Sequence, residues 1–291
     1  CDHHLVASPW PGGCGGGIPY KDTPSSWHGS HVAGTIAAIA NNSKGIVGLA
    51  YKAKILPVRV LGTCGGYDSD IIDGIVWAAG GSVPGVTNNP NPAKIINLSL
   101  GGPEASCPSA YQQAIDTARN LGAVVVVAAG NSNINAAGFT PANCEGVITV
   151  GATTSNGTRA SFSNFGSVVD LSAPGVGIVS TVNASSWNPG IDNAYVSYNG
   201  TSMATPHVSA ALALMLSVNP RMTALQAETY IKKSVRVFAP SACTVTGGCG
   251  TGILKANRGL ATFTGARAQG DFDDNGKSEI VYKRGITTFN R

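Results

Sequence analysis

Three short segments place a histidine, an asparagine and a serine at the ends of predicted helices and strands. His28 lies in WHGSHVAGT, where a loop enters a helix of small residues, so its imidazole has a fixed backbone and an open side, as a general base needs. Ser202 opens a helix after Gly-Thr, where unpaired N–H groups give positive potential. Asn131 follows a buried strand, and its amide can donate to an oxyanion. Each alone is also explained as a helix-start histidine, a capping serine or a turn asparagine, but together they predict acyl transfer by an activated serine.

The elements that must position these groups alternate between strand and helix. Such alternation predicts an α/β fold, a three-layer parallel sheet with helices on both faces. The predicted strands are 54–61, 94–100, 123–129 and 146–151. The predicted helices start at Trp27 and end at Asn41, or span 68–79, 111–121, 203–218 (with Thr201 as N-cap) and 223–237.

The motifs resemble those of the subtilisin-like serine proteases, the subtilases of peptidase family S8, over about residues 27–262. The family's histidine motif H-G-T-H-V-A-G-T reads HGSHVAGT here, and its serine motif reads GTSMATPHVSA. Its A-A-G-N string occurs at 128–131 and its S-L-G-G string at 99–102. The resemblance implies a subtilisin-like fold and a secreted bacterial serine endopeptidase whose partners are polypeptide substrates.

The resemblance also implies a role for each matched residue. Ser202 would attack the scissile carbonyl, His28 would carry the proton, and Asn131 with the Ser202 N–H would hold the oxyanion. The residues implied to bind the substrate backbone are Ser99, Leu100 and Gly101. Those implied to line the pocket for the side chain before the cleaved bond are Ala128, Ala129 and Gly130, whose small apolar walls favour sizeable apolar side chains. No cofactor is expected for catalysis.

One part of the family pattern is missing. Subtilases carry an orienting Asp in a hydrophobic strand that ends D-[ST]-G, well before the histidine, whereas Asp2 and Asp22 stand in neither context. We therefore expect the Asp and its strand, the first strand region of the sheet, to lie outside this chain, and the chain alone to be unstable and essentially inactive. The alternative is an inactive protease-like scaffold that serves as a binding module.

The seven cysteines stand mostly in loop-like surroundings, at positions 1, 14, 64, 107, 144, 243 and 249. Loop cysteines favour disulfides and hence an extracellular compartment, while seven reduced thiols remain the alternative. The tight loop between Cys243 and Cys249 favours a bridge there. Loop placement and the family resemblance favour Cys14–Cys64 and Cys107–Cys144, which leaves Cys1 over.

The tail carries a separate pattern with oxygen-bearing side chains around a Gly turn. Its candidate metal ligands are Asp271, Asp273, Asn275 and Glu279, a spacing that suits a structural Ca²⁺. The segment resembles the start of an FG-GAP/VCBS calcium-loop repeat and is no EF-hand; the alternative is a solvated acidic turn. We expect three parts, 1–26 as a loop-rich remnant, 27–264 as the catalytic domain and 265–291 as this repeat, which would continue beyond Arg291.

Composition excludes several other classes of protein. Charged residues are 12% of the chain, about half the usual share, and Gly is abundant, as in a compact, turn-rich globule. The net charge of +4 comes without a run of five cations, so a nucleic-acid partner is not expected. The apolar runs are too short to span a membrane. A monomer without a membrane partner is expected.

Overall fold

The computed structural model describes residues 25–62, 65–185 and 193–261. Its helices in this part of the chain are α1 (His28–Ala37), α2 (Asp68–Ala78), α3 (Ser109–Asn120), α4 (Thr201–Val218), α5 (Ala224–Lys233) and α6 (Ala256–Ala261). Its strands are β1 (Ile95–Leu98), β2 (Gly102–Pro103), β3 (Val124–Ala128), β4 (Phe139–Thr140), β5 (Val147–Thr153), β6 (Leu171–Pro174), β7 (Ile178–Asn183), β8 (Asn193–Tyr198), β9 (Val235–Arg236) and β10 (Ile253–Leu254).

A six-stranded sheet in the order β1-β3-β5-β6-β10-β9 forms the centre of the described fold. Its first five strands are parallel, and only β9 runs antiparallel to its neighbour. Strand β3 reads VVVVA and is buried throughout, as expected for a strand covered on both faces. The carboxyl ends of β1 and β3 therefore meet at one edge of the sheet.

The side chains of β3 show which helices cover each face. Val124 and Val126 pack in one core cluster with residues of α4 and α5. Val125 and Val127 point the other way, into a second cluster with residues of α2 and α3. The predicted three-layer α/β architecture is confirmed.

A separate two-stranded sheet supports the first helix. Strands β7 and β8 form an antiparallel pair in which Ile178 lies opposite Tyr198. Helix α1 packs against β7 and against α4. This pair and the strands β2, β4, β6, β9 and β10 were not predicted from the sequence.

The predicted strand at 54–61 is wrong. Val58, Val60 and Leu61 pack against the α2–α3 core cluster, and burial alternates along this stretch. No strand of the described chain pairs with it. The hydrophobic pattern thus indicates a segment with one buried face, but it gives no information about a pairing strand.

The other predicted elements in the described chain form, with shifted ends. The first helix ends at Ala37 rather than near Asn41, which leaves Ile39 66% exposed. The last predicted helix ends at Lys233, not at 237. Helix α4 has the length and composition of a membrane span, but 61% of that window is buried inside the fold, as for a core helix.

Two of the three expected disulfides fall in the described chain, and both are confirmed. They join Cys107 to Cys144 and Cys243 to Cys249. The pairing of Cys14 with Cys64 lies outside the described residues.

Candidate active site

Ser202 is the second residue of α4 and stands where β1, β3 and α4 converge. Its main-chain N–H lies in the first helical turn, where no intrahelical acceptor exists. Its hydroxyl donates to the Ser99 carbonyl oxygen at 3.3 Å, and the Ser99 hydroxyl donates to the Ser202 carbonyl at 2.8 Å. This reciprocal pair ties the first turn of α4 to the residue that follows β1.

Asn131 is held with its amide nitrogen available. Its Oδ1 accepts two hydrogen bonds from Thr201, one from the main-chain N–H at 2.8 Å and one from the hydroxyl at 2.9 Å. The Thr201 hydroxyl in turn accepts from the Gly130 N–H at 3.1 Å. Because both bonds use Oδ1, the exposed side chain of Asn131 presents Nδ2 as its donor.

Thr201 therefore has a different role from the predicted one. Gly200 is the N-cap of α4 and makes no side-chain cap, while the first N–H of the helix, that of Thr201, donates to Asn131 Oδ1. Thr201 is fully buried, and its hydroxyl is satisfied there by Gly130 and Asn131. Sequence reasoning missed this contact because Gly-Thr-Ser before a helix has the pattern of a capping segment.

Two donors converge beside Gly200. A Cβ built on Gly200 would lie 3.6 Å from Asn131 Nδ2 and 3.6 Å from the Ser202 N. The two nitrogen atoms thus lie close to each other at the start of α4. Such a pair of donors can stabilise negative charge on a carbonyl oxygen.

His28 is the first residue of α1 and lies half-buried beside a groove. The preceding Trp27 has a left-handed backbone with φ of 51°, which is uncommon for a bulky residue. It is 6% exposed, and its indole donates to the Ser185 carbonyl. This contact stabilises the turn that leads into α1. A left-handed backbone at a bulky residue is strained, and such strain tends to occur at functional sites.

The groove joins the predicted base to the predicted substrate-binding segment. It has a volume of about 570 Å³ and is lined by His28, Ser99, Leu100 and Gly101, among others. Ser99 thus borders the groove while its carbonyl accepts from Ser202. The Ser202 hydroxyl donates to that carbonyl and not to the His28 imidazole, and neither Ser202 nor Asn131 is among the residues that line the groove.

The groove carries two acidic side chains. Asp68 and Glu104 line it, and no Lys or Arg of the described chain does. Tyr111 donates to Asp68 at 2.9 Å, and burial, with this hydrogen bond, raises the pKa of Tyr111. The phenol therefore stays protonated.

The segment Ala128–Ala129–Gly130 is buried behind the site. Its backbone is fully engaged, since Ala129 O accepts from Asn164 Nδ2 at 2.8 Å and Gly130 O accepts from the Asn164 N–H at 2.9 Å. The Phe139 ring lies 2.6 Å from a Cβ built on Gly101 and 3.0 Å from one built on Gly130. The Phe139 ring thus lies close to both glycines, and the role of Ala128, Ala129 and Gly130 as pocket walls stays a prediction.

The predicted calcium ligands lie outside the described residues. Those are Asp271, Asp273, Asn275 and Glu279. Within the described part of the chain, no group of three or more His, Cys, Asp or Glu side chains could hold a metal ion.

Comparison with known proteins identifies a family and several relatives. The model of the subtilase family matches residues 16–270. The chain is 54% identical over 245 residues to an extracellular protease of Xanthomonas campestris pv. campestris, and 48% identical over 245 residues to an extracellular basic protease of Dichelobacter nodosus. These alignments cover 84% and 83% of this chain, but 41% and 40% of the relatives. The chain thus spans about two fifths of their length.

A solved structure agrees with the fold. The structure described as proteases from Pseudoalteromonas arctica PAMC 21717 superimposes with a TM-score of 0.79 at 48% identity, covering 83% of this chain and 72% of that one. The subtilisin-like form of the α/β fold is therefore confirmed.

Proposed function

Because the chain belongs to the subtilase family, we propose that it is a serine endopeptidase that hydrolyses peptide bonds through an acyl-enzyme on Ser202. The observation that carries the proposal is that Ser202 lies in the first turn of α4 beside Asn131, whose Oδ1 is held by Thr201 so that Nδ2 is left as its donor. The matched family supports the same chemistry.

In the proposed reaction each group has one task. The Ser202 oxygen attacks the carbonyl carbon while His28 takes the hydroxyl proton, and the two N–H donors hold the oxyanion. His28 then gives the proton to the leaving amine, and water hydrolyses the ester by the same steps. Residues Ser99–Gly101 along the groove pair with the substrate backbone as an added strand.

An orienting carboxylate completes this mechanism in the family pattern. No Asp of residues 1–27 stands in the family's sequence context. Losing such a partner of the histidine lowers turnover by about 10⁴-fold while the other groups stay in place. We therefore expect the printed chain to be a slow enzyme whose Ser202 still reacts with a strong electrophile.

The test is covalent labelling of the 291-residue chain. A fluorophosphonate probe should modify Ser202, located by mass spectrometry of the peptides, and Ser202→Ala should abolish labelling without changing the unfolding temperature. A folded wild-type chain that is neither labelled nor able to cleave an unstructured protein overnight would overturn the proposal.

One observation favours the alternative of a non-cleaving scaffold that binds polypeptides. The Ser202 hydroxyl donates to the Ser99 carbonyl instead of the His28 imidazole, as it would in a site without a base. The scaffold predicts peptide binding in the groove with no labelling, whereas the endopeptidase predicts both. Hydrogen bonds of a catalytic site often tighten only when substrate binds, so we favour the enzyme.

The protein is extracellular. The two disulfides of the described chain need an oxidising compartment to persist. The two relatives named above are both called extracellular proteases.

The tail spacing supports a structural Ca²⁺ at Asp271, Asp273, Asn275 and Glu279. Four oxygen ligands around a Gly turn suit this hard cation. Calorimetric titration of the chain with Ca²⁺ should show binding that Asp273→Asn weakens. The same Ca²⁺ affinity in the wild type and in Asp273→Asn would contradict this proposal.

A further inference from the structure

Pro206 interrupts the hydrogen bonding of α4 one turn after Ser202. In an α-helix the carbonyl of each residue accepts from the N–H four residues later, so residue 206 should serve the Ser202 carbonyl. Proline has no N–H, and Pro206 lies inside α4. The carbonyl of the proposed nucleophile therefore needs a donor from outside the helix.

A chain of three hydrogen bonds supplies that donor. The Ser99 hydroxyl donates to the Ser202 carbonyl at 2.8 Å. Asn97 Nδ2 donates to the Ser99 hydroxyl at 2.9 Å, and Asn97 Oδ1 accepts from the Ser209 hydroxyl at 2.8 Å. The direction is fixed because a carbonyl only accepts and an amide nitrogen only donates.

These three hydrogen bonds connect the middle of α4 to its first turn by way of β1. Ser209 is seven residues after Ser202, roughly 10 Å along the helix, and is 2% exposed. Asn97 stands in β1 among Ile95, Ile96 and Leu98. Polar groups at such places cost free energy unless they are hydrogen-bonded, and here each one is paired within the chain.

We propose that Asn97 and Ser209 are positioning residues for the nucleophile. Acting through Ser99, they replace the hydrogen bond that Pro206 removes and fix the main chain at Ser202. The Ser202 hydroxyl and N–H belong to that same residue, so both keep their places for attack and for holding the oxyanion. This inference rests on the proposed function.

The experiment measures how fast Ser202 reacts and how well the probe binds. The chain and its Ser209→Ala variant are labelled with a fluorophosphonate, which gives the maximal labelling rate kinact and the inhibition constant Ki. Loss of the hydrogen-bond network from Ser209 to Ser99 should lower kinact about tenfold and leave Ki unchanged. A small misplacement of a reacting atom costs reaction rate more than binding. Ser209→Thr keeps the hydroxyl and should restore kinact.

Asn97→Asp is a second variant of nearly unchanged shape. A carboxylate accepts only, so the Ser99 hydroxyl turns toward it and leaves the Ser202 carbonyl without a donor. The value of kinact should fall at least as far as in Ser209→Ala. If either variant fails to fold, the other gives the answer.

The matched control removes a buried hydroxyl elsewhere. Ser172 is 1% exposed and donates to the Cys249 carbonyl at 2.9 Å, so Ser172→Ala should lower the unfolding temperature and leave kinact unchanged. The inference is overturned if folded Ser209→Ala or Asn97→Asp keeps the wild-type kinact, or if Ser172→Ala lowers kinact equally. A wild-type chain that is not labelled overturns the proposed function and this inference together, whereas a labelled wild type with unaffected variants overturns this inference alone.

Discussion

The two helix starts that carry the proposed nucleophile and base are held by different parts of the fold. At the start of α4, Thr201 is fully buried and bonds to Asn131, just beyond the end of β3. Ser202 is tied to Ser99, just beyond the end of β1. Asn131 and Ser99 thus follow two adjacent strands of the six-stranded sheet.

The start of α1 is held by the separate pair β7–β8. The Ser180 hydroxyl donates to the His31 carbonyl at 2.6 Å, and the Tyr198 hydroxyl donates to the Ser26 carbonyl at 2.7 Å. The His31 Nε2–H is shared by two carbonyl oxygens, that of Ile178 at 3.0 Å and that of Val196 at 3.1 Å. This anchor is a two-stranded hairpin outside the main sheet.

The difference separates two kinds of stability within one site. Elements at the centre of a core open only near global unfolding, while two-stranded segments open at lower free energy. The nucleophile should therefore keep its geometry when the hairpin is perturbed, and the base should lose its position first. Four substitutions test this contrast.

The largest effect should follow Ser202→Ala. In subtilisin, removing the serine alone costs about as much as removing the whole triad, about 10⁶-fold in kcat, so a chain without the orienting Asp has less activity to lose. We still expect its peptide hydrolysis to become undetectable. The unfolding temperature should change little because the bonds from Thr201 to Asn131 and from the Ser99 hydroxyl to the main chain of residue 202 both remain in the variant. Peptide hydrolysis and thermal unfolding are measured on the same samples, and hydrolysis at the wild-type rate would place the nucleophile elsewhere.

Asn131→Ala should act next most strongly. Loss of one oxyanion donor lowers kcat by about 10²–10³-fold, the size known for subtilisin, with KM nearly unchanged. Thr201→Val keeps the main-chain bond to Asn131 Oδ1 and removes only the hydroxyl, so its loss of kcat should be smaller. Steady-state kinetics with a peptide substrate decide, and a raised KM with constant kcat would contradict the oxyanion role.

Strand β3 and residues 54–61 show where sequence reasoning about the fold works and where it stops. The run at 123–129 predicted β3 within one residue at each end, because a continuous β-branched run reflects burial on both faces. Residues 54–61 are also rich in apolar side chains but have no pairing strand among the described residues. Pairing depends on a partner far away in the chain, which a local pattern does not encode.

The same limit applies to the site. The residue types at His28, Asn131 and Ser202 could be found from their motifs, since each motif is contiguous. The bond from Thr201 to Asn131 spans 70 residues, and the bond from Ser209 to Asn97 spans 112. Only the folded chain brings these side chains together.

Gly34→Ala should weaken the hairpin anchor of the base. In a free helix this change is stabilising by about 1 kcal/mol, but here the new Cβ would lie 2.1 Å from Thr181 Oγ1 and 2.5 Å from Ser180 Oγ. We expect a net loss of about 1–3 kcal/mol in the free energy of unfolding from this overpacking, measured by urea denaturation. Thr181→Ala in the same chain should restore part of it; a more stable Gly34→Ala protein would show that α1 and β7 are loosely packed.

The smallest effect concerns the pH dependence of the same anchor. His31 is fully buried, its Nδ1 has no partner in the described chain, and burial lowers its pKa. The unfolded state, with a pKa of about 6.5, then binds the proton more readily. Stability from His31 is complete above that pH and falls as the pH drops below it, by at most about 1.4 kcal/mol per pH unit. The pKa of His207 is lowered by burial too, so His31→Gln should reduce this slope without removing it. Urea midpoints between pH 5 and 8 measure the slope, and an unchanged slope would show that His31 does not titrate with unfolding.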